Sequence, residues 1–282
     1  MKLIFVHGIN QDKKNSQQIL DEWNGAIKDT PQGTHIFEHF DISAPFYGDL
    51  LVGSRDLKKG IADYEPAELK FKNNLAHEMA NYLRIEGDTQ TKSALEEDYF
   101  ESDADKQKGF PHNVPFVSFA RAVQKVSPFR GEVAMRFLGQ AYTYYSTPEL
   151  TKEVDAIVES AIESAGECVV VAHSLGTLVS YRALTKLGKS ANVAKFVTLG
   201  SPLGLNSFRQ FLGDDLARPA GVRSWLNAFD PRDFVSMGIS LPKYYKNVDA
   251  EIQDVANTDE DPHSISKDKG YLHDERILKY FS

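Results

Sequence analysis

Residues 2–6, KLIFV, form a continuous apolar run of strand length, the pattern of a strand buried on both faces. From 16 to 29, SQQILDEWNGAIKD sets Ile19, Leu20, Trp23 and Ile27 at helical spacing, with Ser16 placed to cap the helix. THIFEHFDI (34–42) puts Ile36, Phe40 and Ile42 on one parity and predicts a second strand. Strand, helix, strand is the grammar of a parallel sheet. From 50 to 148 the pattern changes and no convincing strand stands out. AELKFKNNLAHEMANYLRIEG (67–87) is an amphipathic helix that stops at Gly87, and FVSFARAVQKV (116–126) and EVAMRFLGQAYTYY (132–145) read as helical and rich in aromatics. The α/β pattern then resumes: a helix over 148–165, strand CVVVA (168–172), a helix over 175–188, strands AKFVTLG (194–200), VRSWLNAF (222–229) and IQDVAN (252–257), and a last helix, DERILKYF (274–281). The expectation is one α/β domain over 1–282, a mostly parallel sheet flanked by helices, carrying a helical cap or lid insertion over 50–147.

Composition narrows the function classes. The chain has 282 residues, 41% hydrophobic and 26% charged, which is ordinary for a soluble globular protein. A net charge of −8 gives a nucleic-acid partner no electrostatic support, and it disfavours attraction to anionic membrane surfaces. The single cysteine, Cys168, excludes an internal disulfide and fits a reducing compartment. The apolar run after Met1 is too short for a signal segment, and no run approaches the roughly 18 apolar residues of a membrane span. A soluble, cytoplasmic protein is expected. There is no P-loop and no G-x-G-x-x-G, so nucleotide binding lacks support and no cofactor is expected. HIFEH (35–39) matches a zinc-peptidase motif that needs a helix; on the expected strand His35 and His39 would stand about 13 Å apart, so no metal is expected. His77 and His112 show no partner in the pattern.

The strongest chemical signal is VVVAHSLGTLVSY (169–181), where Ser174 stands between a buried strand and a helix with Ala172 and Gly176 two positions either side. A turn sharp enough to lift a serine hydroxyl off a sheet edge crowds the residues two away, so they must be small. The plainer alternative is a helix-capping serine. A nucleophilic serine needs a base, and the base an orienting acid, in the chain order Ser, acid, His. Asp233 and Asp230 follow strand 222–229, and Asp233, with Phe234 and Val235 after it, is the favoured acid. Downstream lie only His263 and His273. His263, in a loop past the last strand, is the favoured base, and His273 is expected at the start of the last helix. His173 reads as structural or pocket-lining. An oxyanion would be met by the backbone N–H of Leu175, directly after the serine, and by that of Ile9, in the His7-Gly8-Ile9-Asn10 loop after the first strand.

FVHGINQ, VVVAHSLG, VTLGSPL, WLNAFDPRDFV and PHSIS…GYL together resemble the α/β-hydrolase superfamily. More narrowly the chain is similar to its lipase-like serine esterases, the group similar to GPI inositol-deacylases and related bacterial hydrolases. The resemblance covers 1–48 and 148–282. It implies an α/β-hydrolase fold and a Ser-His-Asp esterase acting through an acyl-enzyme. Phe116, Phe119, Phe129, Phe137, Tyr142, Tyr144 and Tyr145 crowd the insertion, where they either line an apolar acyl pocket or pack the cap. The expected partner is a small-molecule or lipid ester. The competing readings are a binding module on the same fold without the chemistry, and an acyltransferase using the same triad. The acidic block 96–105 reads as a solvated face.

Overall fold

The computed structural model describes residues 1–51, 65–100, 115–258, 261–266 and 269–282. In chain order the main elements are β1 (Lys2–Val6), α1 (Ser16–Lys28), α2 (Gly33–His39), β2 (Asp41–Ser43), α3 (Pro66–Glu86), α4 (Thr89–Leu95), α5 (Pro115–Val126), α6 (Pro128–Ser146), α7 (Pro148–Ala165), β3 (Cys168–His173), α8 (Leu175–Leu187), β4 (Val193–Leu199), α9 (Asn206–Leu212), β5 (Val222–Ala228), β6 (Ala250–Ile252) and α10 (Glu275–Phe281). None of the described helices is long and apolar enough to cross a membrane. The chain divides into two compact units, Met1–Leu51 with Thr147–Ser282, and Val52–Ser146.

The first unit is α/β: a single six-stranded, all-parallel sheet in the order β2-β1-β3-β4-β5-β6, flanked by helices. The central strands are buried on both faces, which is why β1 and β3 read as unbroken apolar runs. Strand parity divides their side chains. Leu3, Phe5, Val169, Val171, Val197, Leu199, Leu226 and Ala228 meet Ile19, Trp23 and Ile27 of α1 and Ile277, Leu278 and Phe281 of α10 in one core. The apolar face predicted for α1 is therefore the face it buries.

Three local expectations need correction. Residues 34–42 are not one strand: α2 occupies Gly33–His39, and only Asp41–Ser43 pair with Lys2–Ile4. Ile36 and Phe40 satisfy a four-residue helical step as well as strand parity, and the Phe40 amide donates to the Ile36 carbonyl at 3.0 Å. The last strand covers Ala250–Ile252, not 252–257. Beyond it the Val255 amide still donates to the Phe229 carbonyl at 3.2 Å, and the Asn257 amide donates to the Asp230 carboxylate at 2.9 Å instead of to a strand. The cap of α1 is Asn15, whose side chain accepts from the Gln18 amide; Ser16 lies inside the helix and donates its hydroxyl to the Ala44 carbonyl.

The second unit is helical. Here α5 packs on α3, α4 and α6. Phe116, Phe119, Phe137 and Tyr144 are fully buried. The ion pair Lys72–Glu68 is also buried, at 2.8 Å. His77, which showed no partner in the pattern, meets the Tyr99 hydroxyl at 3.1 Å. Of the acidic block, Glu96 pairs with Arg84, and Glu97 and Asp98 pair with Lys125. Residues 101–105 and His112 lie outside the described residues, as does the side chain of Phe129.

Candidate active site

The strand order sets where a site can form. From β1 the chain runs out to β2 on one side and returns to β3 on the other, so the order reverses between two neighbouring strands. In open parallel sheets the crevice outside the carboxyl ends at such a reversal is where ligands bind. Val6 and Ala172 are in register there, followed by His7-Gly8-Ile9 on one strand and His173-Ser174 on the other.

Ser174 has φ 55° and ψ −133°, in the left-handed region that a non-glycine residue rarely adopts. The conformation is held from both sides. The Ser174 amide donates to the Leu199 carbonyl at 3.0 Å, and its carbonyl accepts from the Thr177 amide at 3.0 Å and the Thr177 hydroxyl at 2.7 Å. A Cβ on Gly8 would strike the Ser174 side chain, and one on Gly176 would strike the His7 and Val6 carbonyls, so the loop after β1 lies directly against the serine and its helix. The hydroxyl makes no capping bond to α8. It is fully buried and has no hydrogen-bond partner. A strained, buried and unpartnered hydroxyl is not what a helix cap provides.

The carboxylate of Asp233 reaches His263: Nδ1 of the imidazole lies 2.8 Å from Oδ2. The same oxygen accepts from the Tyr271 hydroxyl at 2.7 Å, and Oδ1 accepts from the Val235 amide at 2.8 Å. Nε2 of His263 is buried and, like the Ser174 hydroxyl, without a partner. The positive φ of Gly200, +54°, lets β4 pass beneath this group: a Cβ there would lie 2.6 Å from Asp233 Oδ2 and 3.1 Å from His263 Nδ1. Asp230 is occupied elsewhere. Its oxygens accept from Arg232 at 3.0 and 2.7 Å and from the Arg232 and Asn257 amides at 2.8 and 2.9 Å. His273 lies in the single turn Tyr271–His273 before α10, and its Nδ1 has no partner.

Two further histidines frame the site. His173 offers Nε2 to the His263 carbonyl at 2.9 Å and its ring lies 4.4 Å from the His263 ring, so the serine's neighbour anchors the loop that carries the imidazole. Burial and the nearby His263 hold His173 well below the usual histidine range, so it is neutral. His7 stacks on Tyr47 at 4.1 Å, and its Nε2 accepts from the Tyr47 amide at 3.2 Å. Its proton must therefore sit on Nδ1, which donates to the Gly8 carbonyl at 3.0 Å. Burial brings His7 down to about 4. That bond fixes the Gly8–Ile9 peptide, whose other end is the Ile9 N–H, directed opposite to the carbonyl in a trans unit. Leu175 opens α8, so its N–H is among the first-turn donors that have no acceptor within the helix.

The structure thus brings Asp233 to His263, places Ile9 in the loop after β1 and Leu175 directly after Ser174 at the start of α8, and leaves Asp230 bonded to Arg232 and Asn257 and the His273 Nδ1 without a partner. It also corrects the geometry of HIFEH: on α2 the rings of His35 and His39 stack at 4.1 Å. Among the described residues no group of three or more His, Cys, Asp or Glu is placed to hold a metal ion. Sequence reasoning missed the bonding of His7, His173 and Tyr271. The histidines flank motifs that were singled out, but nothing in the spacing of Tyr271 signals its hydroxyl's partner. No family model and no curated protein matches the chain.

Proposed function

We propose that the protein is a serine hydrolase of the α/β-hydrolase superfamily that cleaves carboxylic esters, small-molecule or lipid, through an acyl-enzyme. The observation that carries this reading is the pair of unpartnered buried atoms, the Ser174 hydroxyl and His263 Nε2, with Asp233 bonded to the far side of the imidazole. In the reaction His263 Nε2 takes the hydroxyl proton as Ser174 Oγ bonds to the ester carbonyl carbon. Asp233 accepts the Nδ1–H bond, fixing the tautomer and stabilising the imidazolium. The oxyanion takes the N–H groups of Leu175 and Ile9. His263 returns the proton to the departing alkoxide, leaving acyl-Ser174. Water, deprotonated by the same imidazole, then releases the acid and restores the serine. No metal or cofactor is assigned a step.

The single cysteine and the net charge of −8 agree with a cytoplasmic enzyme that has no nucleic-acid partner. The test is covalent: a fluorophosphonate should label Ser174 in the intact protein and leave Ser174→Ala unlabelled. Label on a different serine, or none, refutes the reading.

A further inference from the structure

Asp233 Oδ2 has two proton donors, and only one of them is the candidate base. His263 Nδ1 reaches it at 2.8 Å and the Tyr271 hydroxyl at 2.7 Å. The phenol's direction is set by its own acceptor role: its oxygen receives the Asp230 amide at 3.0 Å, which leaves its proton for Asp233. The Asp230 amide takes a lone pair of the phenol, while a buried O–H needs an acceptor of its own. Tyr271 gives that proton to the same carboxylate oxygen that His263 Nδ1 meets.

We propose that Tyr271 is a positioning residue of this site, whose hydroxyl shares Asp233 Oδ2 with His263 Nδ1 and so limits how strongly the carboxylate favours a protonated imidazole. The inference rests on the serine-hydrolase reading. Each donor bonded to a carboxylate withdraws part of the charge that its neighbours feel. With the Val235 amide on Oδ1, the hydroxyl also prevents the carboxylate from rotating away from the imidazole. Burial and the adjacent Asp233 push the Tyr271 phenol well up, so it stays a donor across the working range.

The other groups around His263 do not replace this control. From β3 comes His173, neutral and bonded to the His263 carbonyl. From the loop after β5 come Asp233 itself, the Phe234 ring at 6.3 Å, and Asp230, whose charge is paired with Arg232. From the end of β4 comes Gly200, with no side chain. Tyr271 is the group among these that donates to the carboxylate on the imidazole's own oxygen.

The test follows the rate of fluorophosphonate labelling against pH in the wild type, in Tyr271→Phe, and in a protein with 3-fluorotyrosine placed at 271 alone. Removing the hydroxyl leaves more charge facing the imidazole, so the acidic limb of the Tyr271→Phe profile should move to higher pH by roughly half a unit or more. The fluorinated phenol is a stronger donor of nearly the same shape, and its limb should move the other way. If Tyr271→Phe does not fold, the fluorinated protein decides the matter alone. Coincident limbs with Ser174 labelled in each protein overturn the inference and leave the hydrolase reading standing, even if Tyr271→Phe melts earlier. A wild type that is not labelled at Ser174 overturns both.

Discussion

Asp230 and Asp233 are both fully buried in one loop, and their partners give them different work. Asp230 is a structural ion: it ties Arg232 and the Asn257 amide to the end of β5. Among the described residues Asp233 has no cationic side chain beside it other than what His263 becomes on protonation. Asp233→Asn should therefore keep its melting temperature within a few degrees and lose about 10³–10⁴ in kcat on an activated ester, because the amide no longer fixes the imidazole tautomer. Asp230→Asn should do the reverse, losing about 1–3 kcal/mol of stability in a urea titration, with Arg232 partly exposed and the loss discounted accordingly, while the surviving folded protein turns over near the normal rate. His263→Ala should cost about 10³ or more in kcat, and His273→Ala little, since His273 makes no bond to either acid. Equal losses from the two histidines would break the assignment of the base.

At the scale of elements, the decisive contact is between the loop after β1 and the first turn of α8. Gly176 is required because the His7 and Val6 carbonyls occupy the space a Cβ would take. Backbone cannot step aside as a flexible side chain can. Gly176→Ala should therefore cost roughly 1–3 kcal/mol by overpacking, and it should separate the two N–H groups assigned to the oxyanion. The expected reading is a fall in kcat at unchanged or slightly changed KM, in excess of what the lost stability explains, measured well below the melting temperature. An Ala variant with wild-type kcat would mean that the β1 loop contributes no donor. Gly200 holds the opposite side in the same way, with a positive φ under Asp233 and His263.

Across the molecule, two buried histidines, His7 and His173, are neutral in the folded state and free to take a proton when unfolded. His7 falls from 6.5 to about 4, chiefly through burial, and its Nε2 is already committed as an acceptor. The unfolded chain thus binds more protons than the folded one between those values, so stability is full above about 6.5 and drains away as pH falls towards 4. For His7 alone the loss approaches about 3 kcal/mol, and His173 adds to it in the same direction. Urea midpoints should fall steadily from pH 7 to pH 4.5. In His7→Asn, where no group titrates at this position, the slope should be shallower. An identical slope in the variant would mean that His7 does not control the acid side.

What the sequence determined by itself was local and periodic. The unbroken apolar runs of β1 and β3, the helical faces of α1 and α10, and Ser174 between a strand and a helix with small residues around it were all legible, because each is a constraint between residues a few positions apart. The order of candidates, serine then acid then histidine, was legible too, and the sequence favoured Asp233 and His263 within each pair, but the partners of each candidate were not legible. Asp233 and Asp230 have the same chemistry in the same loop; only the return of the chain at 263 and 271 gives one a histidine and a phenol and leaves the other an arginine. The segments 34–42 and 252–257 were misjudged for a related reason. A strand exists only where a neighbour offers its ladder, and there the neighbour offered three residues each time. The roles of His7, His173 and Tyr271 depend on which lone pair or N–H faces which partner across 40, 90 and 38 residues of chain. Such directions are fixed by packing, and no spacing along the sequence encodes them.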